Sequence, residues 1–138
     1  MATRAQAETV LVRRVGRYLT LAGLDGTTNN GTNADLADPI AWALRKLELP
    51  VADPTNPSTG EVAATTRVDA LFDLAELRTL ENILGNLSLV TATVGPRTEH
   101  YNDLAKRLGE MIPRKRKAIE QEHGISLGQV RPARFEIW

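Results

Sequence analysis

Cysteine is absent from this chain, and so is net charge: seventeen Lys and Arg balance seventeen Asp and Glu over 138 residues. Without cysteine there is no disulfide framework, no thiolate nucleophile and no Cys-ligated zinc, a composition compatible with a reducing compartment. Neutrality removes the global attraction on which a dedicated binder of nucleic acid or membrane surfaces relies, so any such activity must be local. Aromatic residues make up only 4% of the chain. Leu, Val, Ile and Ala must therefore fill the core, and leucine-rich filling favours helices. No apolar run approaches the roughly 18 residues needed to span a bilayer, and the opening MATRAQAETV lacks the apolar centre of a signal peptide. The expectation is a soluble protein, not exported by the standard route. The balance of 42% hydrophobic to 25% charged residues is that of one ordinary globular domain.

Hydrophobic periodicity organises the chain. Leu11, Val12, Val15, Leu19 and Ala22 recur at spacings of three and four, with Arg13, Arg14 and Arg17 on much of the other side, which predicts an amphipathic helix from Thr3 to Ala22. Thr3 and Gln6 form a capping-box pair at its start, Gly23 suits its end, and Gly16 inside it marks close approach of a neighbour. Small polar turn formers from Asp25 to Asn33 predict a loop. Asp38 before Pro39 reads as the cap of a short helix running to Glu48, with Ile40, Ala43, Leu44 and Leu47 on one face, Trp42 at their margin, and Pro50 as its stop. A second long loop, rich in proline, runs from Pro50 to Thr65. From about Thr66, Leu74, Leu77, Leu80, Leu84 and Leu87, widened by Val68, Leu71, Ile83 and Val90, predict the longest helix. Its breadth implies burial on more than one side, at the centre of a bundle or against another subunit. Gly95-Pro96 ends it, and a last helix runs from about Arg97 to His123, with Tyr101, Leu104, Leu108, Met111, Ile112 and Ile119 for burial and a kink expected at Pro113. The reading is all-α: a small bundle of about four helices over residues 1–124, two long polar loops, and an extended C-terminal arm over residues 125–138.

No residue set carries recognisable chemistry. His100 and His123 stand in no ligand spacing, so neither metal nor cofactor is expected and each reads as a surface or helix-end residue. Asp69, Asp73, Glu76 and Glu81 lie on the long helix without a partner base and read as solubilising charges rather than an acid/base pair. The glycines from Gly23 to Gly31 lack the lysine and the preceding strand of a phosphate loop. An enzyme is not expected. Arg114, Lys115, Arg116 and Lys117 are the sharpest charge feature, but four successive residues point around the whole helix. They read either as a solvated segment or as a contact for nucleic acid or an acidic partner rim. Arg13, Arg14 and Arg17 offer pairing with acids on a neighbouring helix or subunit. The chain ends on Phe135, Glu136, Ile137 and Trp138, which either fold back on the bundle or reach a partner's pocket or sheet edge. Arg131, Pro132 and Arg134 keep the approach to that end extended and polar.

The pattern of VLVRRVGRYLTLAGLDGT, ADLADPIAWALRKL and LFDLAELRTLENILGNLSLVTATVGPRTEHYNDLAKRL, followed by an extended end, resembles the head–tail adaptor (connector) proteins of tailed bacteriophages. The resemblance is architectural, covers roughly residues 3–124, and has no catalytic fingerprint. It implies a structural virion protein, assembled in the host cytoplasm, that forms a dodecameric ring of identical subunits beneath the portal and continues the DNA channel. It implies further that Gln129, Val130, Arg131, Arg134, Phe135, Ile137 and Trp138 dock on the portal protein, while an adjacent tail or stopper protein meets a loop at residues 25–33 or 53–60. Arg13, Arg14 and Arg17 then fall at the subunit interface. DNA would pass without sequence-specific binding, which a neutral chain suits because phosphate affinity rises with each counterion that Lys or Arg releases. Apolar helix faces suit contacts between copies, and head-to-tail contacts of identical subunits close into rings when the rotation permits. The alternative from another class is a small helical DNA-binding protein, a packaging or regulatory subunit.

Overall fold

A computed structural model describes residues 2–94 and 98–127, with side chains described outside residues 88–101. Among them the chain is all-α. Helix α1 spans Arg4–Leu21, a short 3-10 turn Ala34–Leu36 leads into α2 at Ala37–Lys46, α3 is Thr59–Ala63, and the two long helices are α4, Val68–Val94, and α5, Thr98–His123. The junction at Gly95-Pro96 lies outside the described residues.

Helix α4 is the hub, packed by α1, α2 and α5. That position explains why its apolar stripe is too broad for one interface: Leu71, Leu74, Leu77, Leu80, Ile83 and Leu87 are all buried. Leu11, Val15 and Leu19 from α1, Ile40 and Leu44 from α2, and Leu104, Leu108 and Ile119 from α5 complete the core. Among the described residues, Leu21 at 46% is the one large hydrophobic side chain that stands exposed. Between Leu71 and Leu87 most of the greasy face of α4 is thus covered within one chain.

The ends of α1 follow local chemistry. Thr3 and Gln6 close the capping box reciprocally, and Gly23 takes a left-handed φ of 82° beyond the C-terminus. Gly16 meets the backbone of Gly26, so the close approach expected there is made by the loop that follows the same helix.

Three boundaries differ from the sequence expectation. Asp38 does not cap α2; Asn33 caps the preceding 3-10 turn, its side chain accepting from the Asp35 and Leu36 amides while its own amide donates to the Asp25 and Thr28 carbonyls. This frees the Asp38 carboxylate for Arg78 and Asn82 on α4. At its far end α2 stops at Lys46 rather than Glu48, four residues before Pro50, because Glu48 turns left-handed (φ 63°) and the Leu49 amide reaches back to the Leu44 carbonyl at 3.0 Å. The proline-rich loop contains α3, opened by a second capping box in which Ser58 and Glu61 exchange side-chain and backbone bonds.

Both polar loops are pinned to α1 by a buried ion pair. Arg4 and Glu8, at 4% and 0% side-chain exposure, meet at 3.0 Å. Arg4 also donates to the carbonyls of Asn33 and Pro57 and to the Asn56 side chain, while Glu8 accepts from the amides of Gly31 and Asn33. Desolvating two charges is costly, and these extra bonds are what make the burial tolerable. The loops are preformed surfaces rather than adaptable ones.

Candidate interaction surfaces

An acidic edge of α4 holds the outer helices. From α1, Arg14 reaches Asp73 (3.0 Å) and Glu76 (2.8 Å). From α5, Lys115 reaches Glu76 (3.1 Å), Arg116 reaches Glu81 (2.8 Å), and His123 Nε2 lies 2.8 Å from Asp73. The spacing 73, 76, 81 is roughly helical, which puts the three acids on one side of α4 where basic residues of both neighbours converge. Burial works against ionisation of Asp73, yet the hydrogen bonds from His123 and Arg14 hold its carboxyl below the ordinary aspartate range. Arg14 itself, despite its partial burial, is pushed above the usual guanidinium value by Glu76 and Asp73. Asp38 is likewise lowered: burial opposes it, and Asn82 and Arg78 outweigh burial.

These acids therefore tie helices together, and the expectation of purely solubilising charges is corrected for Asp73, Glu76 and Glu81; Asp69 alone of the four is exposed. One group of potential metal ligands forms among the described residues, Asp73, Glu122 and His123, with donor atoms within 4.8 Å of one another. Asp73 is already engaged by both His123 and Arg14, so the arrangement is a hydrogen-bonded tie at the end of α5.

The basic residues singled out from the sequence divide accordingly. Arg13, Arg14 and Arg17 are all exposed; Arg14 reaches the acids of α4 from there, and Arg17 stacks 5.7 Å over the Tyr18 ring. Lys115 and Arg116 are taken up by Glu76 and Glu81, and Arg114 and Lys117 are exposed. The two exposed ones stand three residues apart, on one side of α5. Arg17, Tyr18 and Leu21 of α1 border a shallow depression of about 430 Å³ with Asp103 and Arg107 of α5, so the exposed leucine sits among charges of both signs.

The C-terminal arm begins on the body. Beyond Gly124 (φ 66°), Ile125 and Leu127 turn into the core while Ser126 between them is exposed. Leu127 is clamped at both polar atoms: its amide donates to Glu120 (3.0 Å) and its carbonyl accepts from Arg116 (3.1 Å). The packed body thus runs three residues past residue 124. Gln129, Val130, Arg131, Arg134, Phe135, Ile137 and Trp138 lie outside the described residues. Sequence reasoning passed over Arg4, Glu8 and the anchor at Leu127; an Arg–Glu pair four apart at a helix start was the visible signal for the first.

No helix among the described residues is long and apolar enough to cross a membrane. In comparisons with known proteins no family model, no curated protein and no solved structure matches this chain.

Proposed function

We propose that this chain is a structural subunit of a tailed-phage head–tail connector, a ring beneath the portal that continues the DNA channel and joins the capsid to the tail. The observation that carries the reading is the anchoring of the chain at Leu127. Ile125 and Leu127 are buried, Leu127 is clamped by Glu120 and Arg116, and the eleven residues beyond it end in Phe135, Ile137 and Trp138. A sequence carrying Phe135, Ile137 and Trp138 beyond a fixed anchor suits docking on a foreign scaffold, because aromatic anchors supply much of the energy of small interfaces.

Charge supports a passive channel wall over a DNA-binding module. The chain is neutral, and two of the four consecutive basic residues are occupied by Glu76 and Glu81, which leaves Arg114 and Lys117 exposed in that run. Head-to-tail contact between copies is available at the rim around Leu21, Arg17 and Arg107. The preformed loops at residues 25–33 and 53–60 remain for the adjacent tail protein.

The test is capture by a portal protein of the same phage, read by light scattering and electron microscopy. The expected result is a ring of this chain on the portal, lost when residues 135–138 are deleted. A chain that ignores the portal and instead shifts duplex DNA in a salt-dependent manner would replace this reading with the DNA-binding one.

A further inference from the structure

Two depressions on different seams of the bundle carry opposite charge. One, of about 430 Å³, lies between α1 and α5 and is lined by Arg17, Tyr18 and Leu21 from the first and by Asp103, Leu104 and Arg107 from the second. The other, of about 410 Å³, lies between α4 and the turn that leads into α2, and its lining includes Asp35, Asp38 and Glu81 together with Leu24, Ala34 and Gly85. The two have no lining residue in common.

Each surface has groups that the chain itself leaves unused. Arg17 and Arg107 are exposed, and neither forms an ion pair among the described residues. Leu21 beside them is 46% exposed. On the acidic side, Asp38 receives Arg78 and Asn82 on Oδ2, and Asp35 receives the Asp25 amide on Oδ2, so both keep Oδ1 without a hydrogen bond among the described residues. Arg78 and Arg116 offset Asp38 and Glu81, whereas Asp35 has no cation partner among the described residues. A Cβ on Gly85 would have no atom within 4 Å, so the surface there is open.

An apolar centre within a polar rim is the usual build of a protein contact, and opposite charge on two such rims selects one for the other. We propose that the two surfaces bind each other between copies of this chain: Leu21 of one copy sits against Leu24, Ala34 and Gly85 of the next, with Arg17 and Arg107 facing Asp35 and Asp38. Because the mating surfaces differ, the contact is head-to-tail, and each added copy presents a fresh surface to another until rotation closes a ring. The proposal gives the rim around Leu21 its counterpart. It deepens the connector reading without resting on it, since self-association is measured with no portal present and either can fail alone.

Two substitutions separate the surfaces. Leu21→Arg adds a cation to the basic side at an exposed position, and Gly85→Arg fills the acidic side where a new Cβ meets nothing. Light scattering and sedimentation over a range of protein concentrations should show the wild type assembling beyond the dimer, more weakly as salt rises. Each variant, its helices checked by circular dichroism, should assemble about tenfold more weakly or worse, and so should Arg107→Glu, which keeps the leucine. Mixed in equal amounts, Leu21→Arg and Gly85→Arg should form a one-to-one dimer and stop there, since the first keeps the acidic surface and the second the basic one. A wild type that stays monomeric up to about 1 mM, or that stops at a dimer, overturns the proposal, as does a mixture that gains nothing over its components. So does an Arg107→Glu variant that assembles like the wild type but loses affinity for duplex DNA, which would assign the arginines to phosphate.

Discussion

Gly16 and Gly26 touch backbone to backbone, the one in the middle of α1 and the other in the loop that follows it: a Cβ on Gly16 would stand 2.6 Å from the Gly26 carbonyl oxygen. Alanine at position 16 would gain about 1 kcal/mol of helix propensity, yet the atom it meets is backbone and cannot swing away. Gly16→Ala is expected to destabilise by about 1–3 kcal/mol, the usual cost of overpacking, with the Asp25–Asn33 loop displaced. Urea denaturation at constant pH measures the loss; a stabilised variant would mean that the loop does not pack there.

The same C-terminal motif closes α1 and α2 with different residues. Gly23 (φ 82°) precedes Leu24, whose amide bonds to Leu19, and Glu48 (φ 63°) precedes Leu49, whose amide bonds to Leu44. A left-handed conformation costs a side-chain-bearing residue about 1–2 kcal/mol. Glu48→Gly is expected to raise stability by about 0.5–1 kcal/mol after the extra chain entropy of glycine is deducted, and Gly23→Ala to lower it by a similar amount. Thermal melts of the two variants should move in opposite directions.

That comparison also explains what was legible in the sequence. The helices, the capping box at Thr3, the stop at Gly23 and the hub position of α4 follow from periodicity and cap chemistry, which act within a few residues. The end of α2 was missed because a glutamate in a glycine's place gives no local sign. The start of α2 was misassigned because Asp38-Pro39 makes a plausible cap, while Asn33 makes more bonds once the loop is folded over it. Helix α3 announced itself in Ser58 and Glu61 but was hidden by three prolines around it. The candidate surfaces were less legible still: which of Arg114, Lys115, Arg116 and Lys117 is free depends on Glu76 and Glu81, more than thirty residues away.

Arg4 is the residue on which both polar loops depend. Arg4→Met would leave Glu8, buried completely, without its cation, and removing one member of a buried pair costs about 3–5 kcal/mol. The Gly31 and Asn33 amides still reach Glu8, which argues for the lower end of that range. Limited proteolysis should find new cleavage near residues 29–32 and 54–57, where the loops lose their anchor. Unchanged protection would show that the loops are held by their own turns alone.

Acid should loosen the attachment of α5 and α1 to α4. Asp73 has a folded-state pKa below its unfolded value near 3.8, so its stabilising contribution is fully present above that value and is lost as pH falls through the lower folded pKa. Asp38 acts in the same direction between α2 and α4. Stability by urea denaturation should therefore decline below about pH 4, and Asp73→Asn should flatten that decline while costing about 1 kcal/mol at neutral pH, as suits partly exposed pairs. A variant with the wild-type acid slope would remove Asp73 from the account.

Arg116 connects the body to the arm, since one guanidinium holds Glu81 on α4 and the carbonyl of Leu127. Arg116→Met keeps most of the apolar stem but removes both bonds, and the Leu127 amide retains only Glu120. The pair is partly exposed, so the global loss should be small, about 1 kcal/mol. The local effect should be larger: with the polar clamp halved, the segment is held only by the burial of Ile125 and Leu127 and by the Glu120 bond, and a segment held by few contacts opens first. Hydrogen exchange should accordingly quicken at the amides of residues 125–127 by about tenfold for each 1.4 kcal/mol of lost local stability, with the α4 core amides nearly unchanged. If exchange rises uniformly through α4 and α5 instead, Arg116 serves the bundle as a whole and the arm has no separate anchor.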